Sequence, residues 1–401
     1  MKVGHASTFW PNGYTHTHYT DAIIRGMATH GAGQQVLLAE HPADPRDDAM
    51  VRCVPCYRRS EDFVQPLVTA AAETGAQVVL LQYSNDLFGE DQRFPRLIEH
   101  LEARGVRTVV NLHSVYPPDW RVPYEPGRRV VDFDRAVGRC ATGLNVHSRR
   151  MRDDLVARGI DPAKITVIPH GSRIVTPLDK ALSLRALGIP EGRRVVLFFG
   201  FVWLGKGLSF LLEVFGQVAR RVPDAVFYLG GHVRKKTFYG EAYMAYLRAK
   251  VRALGFGSRF WSTGGYVPDT LVDTIYSASD VVALPYRQDY SSVSGVVHQA
   301  AGYGRLMLCS RISKFDEVGE SISPDLLVGA SDKRAWVERL TSLLTDQAEA
   351  DRLLERVRRF AQKTSWDEVG RQHLELYRGI LAGQAPADVQ RERFPLEDVT
   401  C

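Results

Sequence analysis

Residues 279–310, SDVVALPYRQDYSSVSGVVHQAAGYGRLMLCS, constrain the fold more than any other stretch. The run Val281–Leu284 is short, unbroken and apolar, which predicts a parallel strand covered on both faces. Pro285 ends it, and a polar loop, Tyr286 to Ser292, follows. Ser294-Gly295 opens an apolar helix that closes on Gly302 and Gly304, and Leu306–Cys309 reads as the next strand. Strand, loop, helix and strand make one βαβ unit. Open parallel sheets bind ligands beyond the carboxyl ends of their strands. The small-residue helix start at 291–295 offers backbone N–H groups and a positive dipole end to an anion there. Its functional reading is a diphosphate seat; its plainer reading is an ordinary helix cap.

The same alternation runs along most of the chain. Strands are expected at 3–7, 35–39, 51–55, 76–82, 107–112, 142–146 and 164–168. Helices are expected at 18–30, 63–73, 93–104, 130–139 and 148–158. A looser stretch, 170–190, reads as a hinge. A second set then begins, with strands at 194–199, 225–229, 258–263, 280–284, 306–310 and 325–328 separated by helices. The fold class implied is α/β, with doubly wound parallel sheets in two domains. The expected bounds are 1–170 for the first domain and 180–365 for the second. An amphipathic last helix at 366–383 has Val369, His373, Leu376, Tyr377 and Ile380 on one face, and 384–401 reads as a charged, poorly ordered tail.

Composition excludes several alternatives. Among 401 residues, 51 Lys and Arg stand against 46 Asp and Glu, a net +5 that suits a phosphorylated small molecule. No concentrated basic face marks a nucleic-acid partner. No apolar run approaches a membrane span, and MKVGHAS reads as a strand rather than a signal peptide, so a cytoplasmic protein is expected, with peripheral membrane contact left open. Five cysteines give no disulfide framework, and Cys53-Val-Pro-Cys56 lacks the second pair that a zinc site needs. His16 and His18 have spacing suited to a metal but no third ligand, so no metal is expected.

Several segments carry a resemblance when taken in order. They are Trp10-Pro-Asn-Gly13, Val79–Gly89, Thr108–Pro118, Val146–Gly171, Phe198–Gly207 (FFGFVWLGKG), Tyr266–Pro285 and the 279–310 unit. Together they resemble the GT-B-fold glycosyltransferases of the family-4 type. The resemblance implies two Rossmann-like domains facing a cleft, the last helix crossing back to the first. It implies transfer of a sugar from a nucleoside diphosphate sugar, UDP- or GDP-linked, to a hydroxyl of a small-molecule or glycan acceptor. Retention of anomeric configuration, metal independence and no resident cofactor follow from it. Two glutamates eight residues apart are usual in that family; Ser291 and Gln299 occupy their positions, and the arginine often found after Gly200 is replaced by Phe201, Val202 and Trp203. A sugar-nucleotide epimerase or hydrolase, or a non-catalytic nucleotide-sugar-binding subunit, remain as alternatives.

The candidate residues follow. Lys206, between glycines in the loop that begins at Gly200, places an ammonium on a phosphate. Arg287 is a second candidate cation. Ser292, Val293, Ser294 and Gly295 offer backbone N–H groups to the diphosphate, and Gly13 approaches it from the first domain. His113, at a strand end, meets the sugar or the leaving group. Gly265 and Tyr266 meet the base, and Gln299 the ribose hydroxyls.

Overall fold

The computed structural model describes residues 1–11, 15–44, 46–85, 87–118, 130–233 and 237–396. The chain forms two compact units. The first holds Met1–Gly171, Tyr290–Val293 and the chain from Trp366 onward; the second holds Ser172–Asp289 and Ser294–Ser365.

In the first unit the strands are Val3–Ser7 (β1), Gln35–Glu40 (β2), Val51–Tyr57 (β3), Val78–Tyr83 (β4), Arg107–Leu112 (β5), Ser114–Val115 (β6), Gly143–Val146 (β7) and Ile165–Val167 (β8). Seven of them form a parallel sheet in the order β3-β2-β1-β4-β5-β7-β8. Every residue of β1, β2 and β4 is buried, which is why their sequences lack polar alternation. The helices Thr15–Thr29 (α1), Val64–Glu73 (α2), Arg93–Glu102 (α3), Val130–Cys140 (α4) and Arg149–Ala157 (α5) connect them. In α3, Phe94, Leu97, Ile98 and Leu101 recur at helical spacing and bury one face. Ser148 caps α5 by accepting from the Met151 N–H at 3.3 Å.

The second unit has helix Lys180–Ala186 (α6) inside the stretch expected to be a hinge, and its boundary falls at Ser172 instead. Asp179 caps α6 by accepting from Leu182 N at 2.8 Å, which a loose linker would not need. Its strands are Arg194–Phe199 (β9), Ala225–Gly230 (β10), Phe260–Ser262 (β11), Val281–Leu284 (β12), Leu306–Ser310 (β14) and Leu327–Val328 (β15); Ser291–Ser292 (β13) lies between β12 and β14 in the chain but belongs to the first unit. Six form a parallel sheet, β11-β10-β9-β12-β14-β15. The helices are Leu208–Arg221 (α7), Phe238–Ala253 (α8), Asp269–Ala278 (α9), Gly295–Gly302 (α10), Asp316–Ser321 (α11), Lys333–Thr345 (α12) and Gln347–Lys363 (α13).

Two expectations need correction. β13 lies in the expected polar loop, yet it pairs antiparallel with β6, Ser291 opposite Val115 and Ser292 opposite Ser114. The buried Ser291 hydroxyl also donates to the Asp154 carboxylate on α5. Segment 290–293 therefore belongs to the first unit. The tail is the second correction. After helix Trp366–Leu381 (α14), residues Pro386–Arg393 form a further helix (α15). Val389 is fully buried, and the Gln390 amide donates to Val167 O at 2.6 Å and accepts from Val167 N at 3.0 Å. Buried Pro386, Val389 and Phe394 and one matched amide order a segment whose composition reads as tail.

α1 and α14 cross at two glycines. A Cβ on Gly26 would overlap the Trp366 backbone oxygen, and one on Gly370 would overlap the Gly26 backbone. Tyr19, Ile23 and Met27 then pack with Val369, Leu376 and Tyr377. Gly370→Val should cost about 1–3 kcal/mol through overpacking. Gly33→Ala, where a Cβ meets open space, should cost nothing. Thermal unfolding of the two variants checks this: equal melting temperatures would contradict the close crossing.

Candidate functional site

The second sheet places β9, β12 and β14 side by side. The loops leaving their carboxyl ends are tied together. Gly207, at φ 66°, sits so close to the Pro285 carbonyl that any Cβ would overlap it. Arg287 N–H donates to Gly205 O at 2.9 Å. Lys206 Nζ lies 3.5 Å from the centroid of the buried Tyr286 ring, a cation–π contact. Burial first, and then the charge of Lys314, hold the Lys206 ammonium well below the usual lysine range. Lys314 sits in the turn Ser313–Phe315 after β14 and is 8% exposed. Burial brings its pKa down to about 8, against the opposing pull of Asp289 and Glu317. Sequence reasoning missed Lys314, because no glycine or motif flags it. Arg287 is exposed, and its guanidinium stacks 5.2 Å from the Phe210 ring rather than beside Lys206 on Tyr286.

Helix α10 begins at the same end. Ser294 is its N-cap residue, without a side-chain cap bond, and Gly295 is its first helical residue. A Cβ on Gly200 (φ 110°) would lie 3.8 Å from Val296, so the β9 loop abuts the first turn of α10. Ser292 and Val293 do not share that turn, for the reason given above. Gln299 is half-buried, and its amide oxygen accepts from the Tyr276 hydroxyl at 3.2 Å. Tyr276 stacks on Tyr303 with centroids 4.8 Å apart, so Gln299 has a structural partner already. Gly265 and Tyr266 follow the edge strand β11; Tyr266 is 67% exposed and Gly265 has open space around it. Gly13 lies outside the described residues. The buried His298 bonds Ser172 Oγ at 3.0 Å and Glu317 at 3.2 Å, fixing α10 from its other side.

In the first unit, His113 follows β5. Gln82 Oε1 accepts from Asn111 Nδ2 at 2.8 Å and lies 2.8 Å from His113 Nε2, so Nε2 carries the proton and donates. Nδ1 is left as an acceptor. The His113 ring lies 4.6 Å from His16, 4.8 Å from Tyr19 and 5.2 Å from His147. Tyr19 also packs 5.2 Å from His170. Burial, then the three other imidazoles, push the His113 pKa well below 6.5, so it works as a neutral hydrogen-bonding group. This imidazole cluster joins residues far apart in sequence and was not legible beforehand. His18 faces Trp10 instead, because residues two apart on a helix diverge. Among the described residues no group of three or more His, Cys, Asp or Glu is arranged to hold a metal. Cys53 and Cys56 pack into different clusters on opposite faces of β3. No helix among the described residues is long and apolar enough to cross a membrane.

Two family models match: "Glycosyl transferase 4-like domain" over residues 16–171 and "Glycosyl transferases group 1" over 193–346. Among curated relatives, the D-inositol 3-phosphate glycosyltransferase of Corynebacterium urealyticum is 28% identical over 269 residues, 66% of this chain and 59% of that protein. The namesake from Rhodococcus jostii is 27% identical over 261 residues, 63% and 56% of the two chains. The chain thus spans less than two thirds of the length of these relatives. Among solved structures, sucrose-phosphate synthase from Thermosynechococcus elongatus superimposes with a TM-score of 0.73 at 19% identity, covering 96% of this chain and all of that one. Anabaena Alr3699/HepE, in complex with UDP and glucose, gives 0.70 at 15% identity over 94% of this chain and 100% of its own. At these identities the structures bear on the fold.

The first unit also predicts a pH response. Burial lowers the pKa of His5 to about 4 and of His373 to about 3, and that of His113 falls as well. Each binds a proton more readily unfolded than folded. Their neutral forms favour the fold above about pH 6.5, and that contribution is lost as pH falls through the folded values. Melting temperature should drop between pH 7 and pH 4, less steeply in His373→Gln than in the wild type. Parallel slopes would contradict it.

Proposed function

The chain belongs to the GT-B glycosyltransferases of the family-4 type, and we propose that it moves a sugar from a nucleoside diphosphate sugar to an acceptor hydroxyl. One observation carries the donor assignment. The unit matched by the group 1 model holds Lys206 against Tyr286 and, at the same end of the parallel sheet, the Gly200 turn against the first turn of α10. A half-buried ammonium and the N–H groups at the start of a helix suit a diphosphate. A UDP-sugar is the donor we favour, since the Anabaena neighbour is described with UDP. The exposed loop at Gly265-Tyr266 is assigned to the base. The acceptor is assigned to the first unit, at the imidazole cluster, where His113 Nδ1 accepts from a hydroxyl. The curated relatives are named for a phosphorylated polyol, and we propose that class of acceptor.

The chemistry needs little from the protein beyond electrostatics. As the bond from the anomeric carbon to the phosphate oxygen breaks, charge gathers on the departing diphosphate. Lys206 and the first N–H groups of α10 offset it. The acceptor oxygen bonds the anomeric carbon on the same face, which retains configuration, and the departing phosphate oxygen takes the acceptor proton. Neutral His113 orients a hydroxyl without competing as a base.

Three measurements test the assignment. UDP should raise the melting temperature by linkage. Lys206→Met should weaken UDP by about 1.5–3 kcal/mol, the range for a bond to a charged group. UDP release should require an acceptor, with D-inositol 3-phosphate and hexose phosphates as the first panel. No binding of UDP or GDP at millimolar concentration would remove the reading.

Gln299 gives a separate test. If its amide also serves the ribose, Gln299→Ala should cost on the order of 1–2 kcal/mol of donor affinity, and Gln299→Glu should hold it. Stability of Gln299→Ala should fall too, because Tyr276 loses its acceptor. A loss of stability with unchanged affinity would confine Gln299 to the Tyr276 contact.

A further inference from the structure

Lys314 is assigned nothing by the mechanism above, yet it sits where that mechanism needs charge. β14 lies next to β12, and β12 next to β9, all parallel, so their carboxyl ends point the same way. Lys206 leaves β9, Tyr286 to Asp289 leave β12, and Lys314 leaves β14. Contacts on both sides of Lys314 fix its turn against the β12 loop. Asp289 Oδ1 accepts from Ser313 N–H at 2.9 Å and from the Ser313 hydroxyl. The buried Phe315 ring lies 5.1 Å from the Tyr286 ring, the ring that carries the Lys206 ammonium. One aromatic residue thus joins the turn of Lys314 to the side chain of Lys206.

We propose that Lys314 is a phosphate-binding residue of the donor site, acting with Lys206 as a pair of cations on the diphosphate. The inference rests on the donor assignment to this unit. Lys314 stands near enough to Lys206 to depress it, and two charged ammonium groups in so largely buried a place are costly until an anion joins them. Asp289 and Glu317 offset part of this at Lys314, and Glu317 also serves His298. A cation needed only to neutralise those carboxylates gains nothing from standing near Lys206. A diphosphate reverses the balance, since each ammonium then faces more negative charge than positive. The same pairing favours the diphosphate over the monophosphate, and both over the bare nucleoside.

Linkage gives a second signature. Asp289 and Glu317 pull on Lys314, and Lys314 in turn acts on Lys206, whose ammonium lies over the Tyr286 ring. Lys314 titrates near pH 8 in the empty protein, and a bound diphosphate raises that value. Binding at pH 8 therefore draws a proton from solution.

The test is calorimetric titration of the full chain with UDP, UMP and uridine. Lys314→Met, Lys314→Arg and Lys206→Met are compared with wild type. Lys314→Met should weaken UDP about 10- to 100-fold, the size of a bond to a charged group, and leave uridine within about twofold. Lys314→Arg should recover most of the loss. Equal effects on UDP and uridine, or a lower melting temperature with unchanged UDP affinity, would overturn the assignment of Lys314 alone. Absence of UDP and GDP binding in the wild type would overturn the donor assignment, and this inference with it. Should Lys314→Met not fold, titrations of Lys206→Met at pH 8 in buffers of different ionisation enthalpy decide, since that variant leaves Lys314 as the lysine that can take up the proton. Proton uptake with UDP supports the proposal, and its absence refutes it.

Discussion

A parallel sheet covered on both faces leaves its loops as the main place for polar chemistry. Both units obey this constraint. Their central strands are buried along their whole length, and their hydrogen-bonding ladders are complete between neighbours. Side chains that must meet a ligand therefore gather at the carboxyl ends, in the order in which the strands lie. That order brings Lys206 and Lys314 to one place across some hundred residues of chain, and His16, His113, His147 and His170 to another. The loops come together because glycines let backbone touch backbone, as Gly207 does against Pro285 and Gly231 against Gly200.

The two ends differ in electrical character. In the second unit, burial and the nearness of Lys314 make a charged Lys206 costly, a cost that a bound anion would lower. In the first, four imidazoles and a tyrosine crowd one another, and desolvation keeps His113 neutral. A neutral ring held by Gln82 keeps one tautomer, so its acceptor nitrogen has a fixed direction. The first arrangement suits a charged ligand and the second a hydroxyl held in one direction. A reaction that expels a diphosphate and admits an alcohol needs one of each. The turn of Lys314, after β14, is tied to the loop after β12 through Asp289 and through the Phe315–Tyr286 ring contact.

Much of this was legible in the sequence, for local reasons. The apolar runs at 76–82 and 281–284 fixed buried strands because parallel pairing removes alternation. Lys206 and His113 stood out because glycines or a strand end set them off. What escaped depends on distance along the chain. Ser291 and Ser292 look like loop residues, and only their pairing with Val115 and Ser114 makes them a strand. Lys314 has no motif. Residues 386–393 carry five charged or amide groups among few apolar ones, so composition hides Pro386, Val389 and Gln390, the buried positions that dock the helix. Helical position alone marks Gln299 for a ligand, and its bond with Tyr276, 23 residues back, appears only in the fold.

The Gln390 contact bears on how the chain can be handled. β8 is the last strand of its sheet, and its outward backbone at Val167 is occupied by the amide of Gln390 rather than by another strand. An outermost strand with unpaired N–H and C=O groups is a template for a foreign one. Shortening the chain after α14 would bare that template, and the product would tend to self-associate or to capture extended peptides although both catalytic halves were intact. Tags and fusions are better placed beyond Phe394 than in exchange for what precedes it.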